Sequence, residues 1–368
     1  MKFNATNVLS IFYPKGVQNG LCSGLIWTMA NHTFAENKQM KLITILIPEG
    51  ENNISSITGT YEILTRANKY WKQNGKKELY KIELAGVSEK VEYCSGLFTI
   101  KPHTNISAIA KTNLIIIPSL NHNYEKAVKG NSGNAAMIDW IEHQYKNGAE
   151  VASICSGAFL LAASGLLDGK SCSTHWIVAD NFRTMFPMVN LQTDKLITDE
   201  NGIYTNGGAY SFLNLLIYLV EKYFDRQTAI YCSKVFQIEM DRQSQSAFSI
   251  FSGQKQHGDE MVIQAQAYIE RNLNEKISVE HLSAGLAVGR RNFDRRFIKA
   301  TGNTPVEYSQ RVKIESAKKA LETSRKTINE VMYEVGYADV KAFREVFRKI
   351  TGMSPLEYRS KYNKEAVV

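Results

Sequence analysis

The sequence predicts an α/β domain built on a parallel sheet, followed by an all-helical domain with two helix-turn-helix units. Over the first two thirds of the chain, apolar β-branched segments such as KLITILI at 41–47 and NLIIIPS at 113–119 alternate with amphipathic segments. Continuous apolar strands separated by helices are typical of a parallel sheet covered on both faces. Nearer the C-terminus, one helical motif occurs twice, at 292–308 and at 342–358.

Bulk composition limits the classes of protein to consider. A length of 368 residues exceeds what one core usually holds, so two domains are expected, and a net charge of +8 favours an anionic partner. The five cysteines are scattered and form no CxxC pair, which favours reduced thiols over a disulfide framework or a zinc site. No apolar run reaches the roughly 18–20 residues of a membrane span. We therefore expect a cytoplasmic protein with no metal, no cofactor and no membrane partner.

The elements of the α/β part follow from the alternation of apolar segments. Strands are predicted at 41–47, 80–88, 93–102, 113–119 and 149–155, and helices at 59–74, 137–148, 157–167 and 210–223, the last after a hairpin-rich stretch at 190–206. The polar, Ser/Gln/Gly-rich stretch that follows predicts a linker. The resulting boundaries are an N-terminal extension at 1–39, an α/β domain at 40–240, a linker at 241–258, a helical domain at 259–362 and a tail at 363–368. Met40 directly precedes the first strand, so the extension is either an appendage or an over-called start.

The repeated motif superposes at a constant offset of 50 residues. Phe293 falls on Phe343, and Phe297 falls on Phe347. Each copy is preceded by a short helix and a tight turn, which is the helix-turn-helix pattern. Ser278 and Asp339 are predicted as N-caps, at the first helix of the first copy and at the second helix of the second copy. Two such units about 50 residues apart could reach two nearby grooves of one DNA duplex.

The exposed side of each second helix carries basic residues. If Phe293, Phe297 and Ile298 form the buried stripe of the first, its Arg residues are left on the opposite face, where Arg is suited to bidentate pairing with guanine. Basic residues on a single helix are more often a solvated face. Because both copies place them at the same turn of the same motif, we interpret them as DNA contacts.

Residues 259–362 resemble the tandem helix-turn-helix domain of AraC/XylS transcription regulators. The resemblance is carried by AGLAVGRRNFDRRFIKATGNTPVEYSQRVKIESAKKAL and by VGYADVKAFREVFRKITGMSPLEYR. It implies double-stranded operator DNA as a partner, and RNA polymerase as a second one. The side chains expected at the DNA are Arg290, Arg291, Asn292, Asp294, Arg295, Lys341, Arg344 and Glu345. Glu345 departs from the basic or polar residue often found at its position.

Cys155 lies between a predicted strand and a helix that contains glycine near its start, in VASICSGAFLL. This is the arrangement of a nucleophile elbow, and a thiol at a helix N-terminus is activated when solvent reaches it. A buried structural cysteine is the ordinary alternative, since free cysteine is among the most buried residue types.

Residues 40 to about 240 resemble the PfpI-type, class I glutamine-amidotransferase-like superfamily, whose members include isonitrile hydratases. In that superfamily an acidic residue after the first strand accompanies the elbow cysteine, and proteases add a histidine directly after it. Here Ser56 stands at the acidic position and Ser156 follows Cys155, so Cys155 is at most a degenerate catalytic residue. Glu49 is the one nearby carboxylate that could substitute. His175, before Trp176, is either a pocket residue or a packed structural one.

We therefore expect a small-ligand pocket around Cys155, formed by Glu49, Cys155, Ser156, His175 and Gly207. The sequence favours a transcription regulator that is not an enzyme, with a sensing α/β domain that forms a homodimer and a DNA-binding helical domain. Two alternatives stay open. One is a cysteine hydrolase or hydratase tethered to DNA through its helical domain, and the other is a purely structural dimerisation domain without a ligand.

Overall fold

A computed structural model of the chain describes residues 40–121, 123–129, 133–255, 257–275 and 277–363. The predicted extension at 1–39 and residues 364–368 of the predicted tail lie outside these residues. From Met40 onward the chain forms one compact unit. Within the described ranges, no helix combines the length and the apolar character that crossing a membrane requires.

The α/β part contains eleven strands among the described residues. They are β1 (Lys41–Ile47), β2 (Tyr80–Gly86), β3 (Val91–Tyr93), β4 (Phe98–Ile100), β5 (Thr104–Asn105), β6 (Leu114–Ile117), β7 (Glu150–Ser153), β8 (Ser171–Cys172), β9 (Asn190–Leu191), β10 (Ile197–Glu200) and β11 (Ile203–Asn206). Its helices are α1 (Ile54–Gln73), α2 (Tyr124–Val128), α3 (Ala135–Lys146), α4 (Ala158–Ala163), α5 (Ala179–Met185), α6 (Phe212–Tyr223) and α7 (Arg226–Phe236).

Seven of these strands form the main sheet, in the order β10–β11–β7–β6–β1–β2–β5. All neighbours are parallel except β10 and β11, which form an antiparallel hairpin at the edge. Successive side chains of a strand point to opposite faces. Accordingly, Ile43 and Ile45 of β1 belong to the core under α1 and α6, whereas Leu46 belongs to the core under α3 and α4. The predicted parallel sheet covered on both faces is confirmed.

Two of the segments that differ from the sequence prediction lie near the start of the α/β part. The single strand predicted at 93–102 is two short antiparallel strands, β3 and β4, because Cys94 and Ser95 adopt positive φ and turn the chain between them. The first helix begins at Ile54 rather than at 59, since the side chain of Asn53 accepts a hydrogen bond from the Ser55 backbone N–H and caps it.

The described residues of the C-terminal part form seven further helices. They are α8 (Glu260–Arg271), α9 (Val279–Gly285), α10 (Arg290–Thr301), α11 (Pro305–Thr323), α12 (Ile328–Glu334), α13 (Val340–Thr351) and α14 (Pro355–Tyr362). Helices α9 and α10 form the first helix-turn-helix unit, and α12 and α13 form the second. The predicted caps are confirmed: Ser278 accepts from the His281 N–H, and Asp339 accepts from the Ala342 N–H.

The internal repeat is preserved in the packing of the two units. Phe297 meets the ring of Tyr308 edge-on at 5.4 Å, and Phe347 meets Tyr358 in the same way at 5.5 Å. Both recognition helices, α10 and α13, end at a left-handed glycine. Each unit therefore has its own core, and α11 contributes to both through Tyr308 in the first and Ile314 in the second.

One detail of the predicted buried stripe is wrong. Phe293 and Phe297 are fully buried, but Ile298 is 43% exposed. Phe293 and Phe297 are four residues apart and share a face of the helix. Ile298, one residue further along, is rotated by about 100° at 3.6 residues per turn and faces away from that core.

Candidate functional site

The recognition helix α10 presents its polar side to solvent. Arg290, Arg291, Asn292 and Arg295 are exposed, and Asp294 is half-buried. Arg290 pairs with two carboxylates: its Nε donates to Asp294 at 2.8 Å, and its Nη1 donates to Glu280 of α9. Arg295 donates to the Asn292 side chain at 2.9 Å. Helix α10 therefore carries a hydrogen-bonded polar surface, within which the two carboxylates orient Arg290.

The arginines of α10 differ in their hydrogen-bond partners. Arg291 has no hydrogen-bond or ion-pair partner within the described ranges, so its guanidinium is available to a ligand. Arg296, which the sequence did not single out, donates two hydrogen bonds to Asp259 at 2.9 and 2.6 Å, and so ties α10 to the start of α8. Arg296 lowers the pKa of Asp259 mainly through these hydrogen bonds. It is an anchor for the recognition helix rather than part of its outer face.

The second recognition helix, α13, exposes Lys341, Arg344 and Glu345 together. Among the described residues, none of the three has a hydrogen-bond or ion-pair partner. On the opposite side, Phe343 and Phe347 are fully buried in the second core. The structure thus gathers these three residues on one face of α13, as the sequence predicted, and gathers the other five on α10.

Cys155 forms a strained turn between β7 and α4. Its φ is +55°, in the left-handed region that non-glycine residues rarely adopt, and its side chain is buried, with the residue 7% exposed. Its carbonyl accepts a hydrogen bond from Thr174 Oγ1 at 2.8 Å. A Cβ at Gly157 would lie 2.5 Å from the Pro118 carbonyl oxygen, so only glycine allows this close approach. The geometry is that of the predicted elbow.

Hydroxyl groups occupy the surroundings of the elbow. Ser156 Oγ donates to the Leu120 carbonyl at 2.6 Å and lies 3.0 Å from Ser119 Oγ. Ser56, at the position where the resemblance places an acid, accepts from the Ser119 backbone N–H at 3.1 Å and donates to the Asn53 carbonyl. Ser56 is therefore part of a neutral network that holds the loop after β6, and among the described residues this network has no carboxylate.

Glu49 lies at the end of β1, against the segment that precedes α3. Its backbone N–H donates to the Asn134 side chain at 2.7 Å, and its side chain packs on Gly133. Among the described residues, the buried Glu49 Oε1 atom has no hydrogen-bond partner. Its charge contributes to the high pKa of Tyr93, which results first from burial of the phenol. Glu49 thus places a buried acceptor near the end of β1, where it contacts Gly133 and Asn134 and acts electrostatically on Tyr93.

His175 and Gly207 lie together at the turn after β11. His175 packs so closely on Gly208 that a Cβ there would overlap its imidazole, and its Nδ1 accepts from the Ile177 N–H at 3.0 Å. Burial lowers the pKa of His175. The space over Gly207 is filled by the carboxamide of Gln245. Of the five residues predicted to form the pocket, Cys155 and Ser156 are adjacent in the chain. The Thr174 hydroxyl hydrogen-bonds the Cys155 carbonyl, and His175 follows Thr174 directly.

Gln245 is the residue that sequence reasoning missed here. It belongs to the predicted linker, yet it is almost fully buried in the α/β part. Its Nε2 donates to the Thr174 carbonyl at 2.9 Å, and its Oε1 accepts from the Gly208 N–H at 3.1 Å. A glutamine in a polar stretch gives no sequence signal of burial. Only the paired glycines at 207–208 indicated that a side chain approaches the backbone there.

Comparison with known protein families assigns both parts of the chain. Residues 43–222 match the DJ-1/PfpI family, and residues 282–361 match a helix-turn-helix domain family. The chain combines a DJ-1/PfpI domain with an AraC-type helix-turn-helix domain. The resemblances inferred from the elbow and from the repeated motif are thereby confirmed, and so is the fold class.

Curated relatives of this two-domain chain are named as regulators. It is 26% identical over 226 residues to the HTH-type transcriptional regulator GbdR of Pseudomonas aeruginosa, and 24% identical over 216 residues to the HTH-type transcriptional regulator ArgR of the same species. The matched region covers 60% of this chain and 60% of GbdR, and 58% of this chain and 65% of ArgR. Among solved structures, Drosophila melanogaster DJ-1beta is similar with a TM-score of 0.45 and 17% identity, covering 55% of this chain and 100% of that one.

Proposed function

We propose that this protein is a sequence-specific transcription regulator that binds double-stranded operator DNA through α10 and α13. The observation that carries the proposal is the duplicated helix-turn-helix unit, in which each recognition helix buries two phenylalanines and turns polar and basic side chains outward. The proposed DNA-facing residues are the eight predicted from the sequence. Arg291 and Arg344 are the strongest candidates for base contacts, because neither has a partner within the described part of the chain.

The residues of α10 have distinct proposed roles. Arg290 is held by Asp294 and Glu280, so it contacts the phosphate backbone or a base from a fixed orientation. Arg295 is oriented by Asn292 in the same way. On α13, Glu345 accepts from a cytosine amino group or orients a neighbouring cation, since a carboxylate next to phosphates is otherwise repelled.

The full-length chain tests this proposal in a selection from a random pool of duplexes at fixed salt. We expect enrichment of one sequence, with two protected patches on one face of the duplex, spaced by about one helical turn of 10–10.5 base pairs. Binding that stays independent of sequence, with no enriched motif after repeated rounds, would rule out specific readout.

For the DJ-1/PfpI domain we propose a sensing role without catalysis. Ser56 stands at the acidic position and the network around Ser156 is neutral, so among the described residues no hydrogen-bonded carboxylate completes the nucleophile constellation of Cys155. We propose further that a small effector binds near Cys155 and that this domain forms the homodimer, because two linked half-sites raise avidity. A metabolite screen by thermal unfolding tests the effector, which should stabilise the protein saturably. The molecular mass of the protein in solution tests the homodimer.

An alternative function is a hydrolase or hydratase that acts through Cys155. The positive φ of Cys155 favours it, since strained backbone is common at nucleophile elbows. Labelling of Cys155 by a thiol probe together with turnover of amide or isonitrile substrates would establish this activity. Labelling without turnover would leave Cys155 as an accessible thiol only.

The remaining proposals concern organisation and location. We propose an α/β domain at 40–240, a linker at 241–258 and a helical domain at 259–362, with RNA polymerase as a partner and a cytoplasmic, nucleoid-associated location. The linker has a short 3-10 helix at Ser246–Phe248 and contacts both parts of the chain, through Gln245 to Thr174 and through Ser249 to Lys318. Its role would be to hold the two domains together rather than to let them move freely.

A further inference from the structure

A cavity of about 170 Å³ lies where the α/β part, the linker and the helix-turn-helix domain meet. Its walls come from the α5 region, from linker residues 246–254 and from α11. Gly302, at the end of α10, and Thr351, at the end of α13, also line it. One cavity is therefore bounded by the α/β part and by the C-terminal ends of both recognition helices.

Two guanidinium groups line this cavity. Arg183 of α5 donates to Asp180 at 3.0 Å. Arg311 of α11 is half-buried, and among the described residues it has neither a hydrogen bond nor an ion pair, although its charge acts on Glu307 one turn earlier in the helix. Burial lowers the pKa of Arg183, Asp180 opposes this shift, and the positive charge of Arg311 lowers the pKa further. The two cations thus repel each other across the cavity.

The other charged groups of the wall do not neutralise Arg311. Asp180 is engaged by Arg183, and Glu315 is engaged by Lys318 at 2.7 Å. The charge of Asp194 acts on Arg183 and favours its protonated form. A half-buried guanidinium whose donors have no hydrogen-bond acceptor is costly, because its five donors have lost part of their hydration.

We propose that this cavity is a binding site for a small oxyanion, a carboxylate or a phosphate, held between Arg183 and Arg311. Guanidinium groups bind both oxyanions in bidentate geometry. The occupant would hydrogen-bond Arg311 and shield it from Arg183. Drug-sized ligands need roughly 300–1,000 Å³, so this cavity suits a much smaller molecule.

The site also has a consequence for the DNA-binding domain. The Arg183 side chain lies against Gly302, with its Cδ 4.0 Å from where a Cβ would be. An anion joined to both arginines would bridge α5 to α11 next to the end of α10, and so hold the helix-turn-helix domain against the α/β domain. This second step rests on the proposed DNA-binding function, whereas the binding of the anion does not.

The test uses the full-length chain with inorganic phosphate and with succinate as probes, each titrated against chloride at constant ionic strength. Thermal unfolding and calorimetric titration measure binding. We expect saturable, one-site binding of one probe, which distinguishes a phosphate site from a carboxylate site. Arg311→Gln should weaken this binding at least about tenfold, since it removes the charge and the paired donors that hold the oxyanion.

Two further variants serve as controls for the effect of Arg311→Gln. Arg311→Lys retains the charge and should recover part of the affinity, and Arg66→Gln, at an exposed arginine of α1, should bind like the unmodified chain. Bound probe should slow hydrogen exchange of the backbone amides at 249–254. Absence of saturable binding for both probes, or equal binding by Arg311→Gln, would overturn the site. If the probe binds but the chain selects no DNA sequence, the proposed function fails and the site stands.

Discussion

Lys318 and Glu315 of α11 form an ion pair of 2.7 Å whose side chains are only 4% and 10% exposed. Both partners also hold the linker: Lys318 Nζ donates to the Ser249 carbonyl, and Glu315 accepts from the Phe251 N–H at 3.1 Å. The pair thus joins the helix shared by the two helix-turn-helix units to the segment leading from the α/β part. Removing one partner of a buried ion pair strongly destabilises the folded protein, because the other charge stays buried.

Replacing Lys318 by Met should lower the free energy of unfolding by about 3–5 kcal/mol, because Glu315 would remain buried without its counter-charge. Chemical denaturation followed by circular dichroism measures the change. The double variant Lys318→Met/Glu315→Leu should be less destabilised than the single variant, since it removes both charges. If the single and double variants lose equal stability, the charges are not the cause.

Gly208→Ala should destabilise the domain by about 1–3 kcal/mol, because the new methyl group would overlap the imidazole of His175. Thermal unfolding measures this, and Gly208→Ala/His175→Ala should recover part of the loss. The matched control is Gly285→Ala in α9, where a Cβ meets no atom within 4 Å. At Gly285 the free energy of unfolding should rise by up to about 1 kcal/mol, because alanine has a higher helix propensity than glycine. Similar losses at both glycines would contradict the proposed overlap.

His175 should make stability depend on pH in the acidic range. Burial lowers its pKa in the folded protein, so the unfolded chain binds a proton first as the pH falls below about 6.5. The contribution of neutral His175 to folding stability is therefore fully present above that pH. It is lost as the pH falls towards the lower pKa of His175 in the folded protein. His175→Asn keeps a side-chain acceptor for Ile177 and should flatten the profile of unfolding free energy between pH 7 and pH 5. The exposed His143→Asn should leave this profile unchanged.

Arg291→Ala and Arg295→Ala should each weaken binding to the selected operator by about 1–3 kcal/mol and relax base preference locally. Fluorescence anisotropy at fixed salt measures both operator and random duplexes. Arg271→Ala, at an exposed arginine that ends α8, is the control and should have little effect. Equal losses on operator and random DNA would mean that these side chains contact phosphate only.

Much of the helical domain was predictable because its signals are local. The Phe residues at i and i+4, the Thr-Gly ends and the caps at Ser278 and Asp339 each depend on residues a few positions apart. Ile298 was wrongly assigned to the buried face of α10. It follows Phe297 directly, and neighbouring residues of a helix are rotated by about 100° from each other. Strand β1 was predicted to its exact bounds, since a continuous apolar run is followed directly by Pro48-Glu49-Gly50.

The surroundings of Cys155 were less predictable because they depend on contacts between distant segments. The turn at Cys155 could be inferred from the residues beside it, but the hydrogen bonds from Ser119 to Ser56 and from Ser156 to Leu120 join separate segments. The insertion of Gln245 over Gly207 depends on the path of the linker, which a polar composition does not specify. Similarly, nothing in the local sequence of Arg311 indicates that it lines a cavity.

Helix α11 has a consequence for which operators the protein can accept. It belongs to both helix-turn-helix cores, and its interior contains no glycine or proline at which it could bend. Inserting one base pair between the two subsites turns one of them by about 35° around the duplex axis, at 10–10.5 base pairs per turn. On the proposed mode of binding, the protein cannot follow that rotation, so the DNA itself must twist or bend. The spacing between the subsites should therefore matter as much as the bases within them.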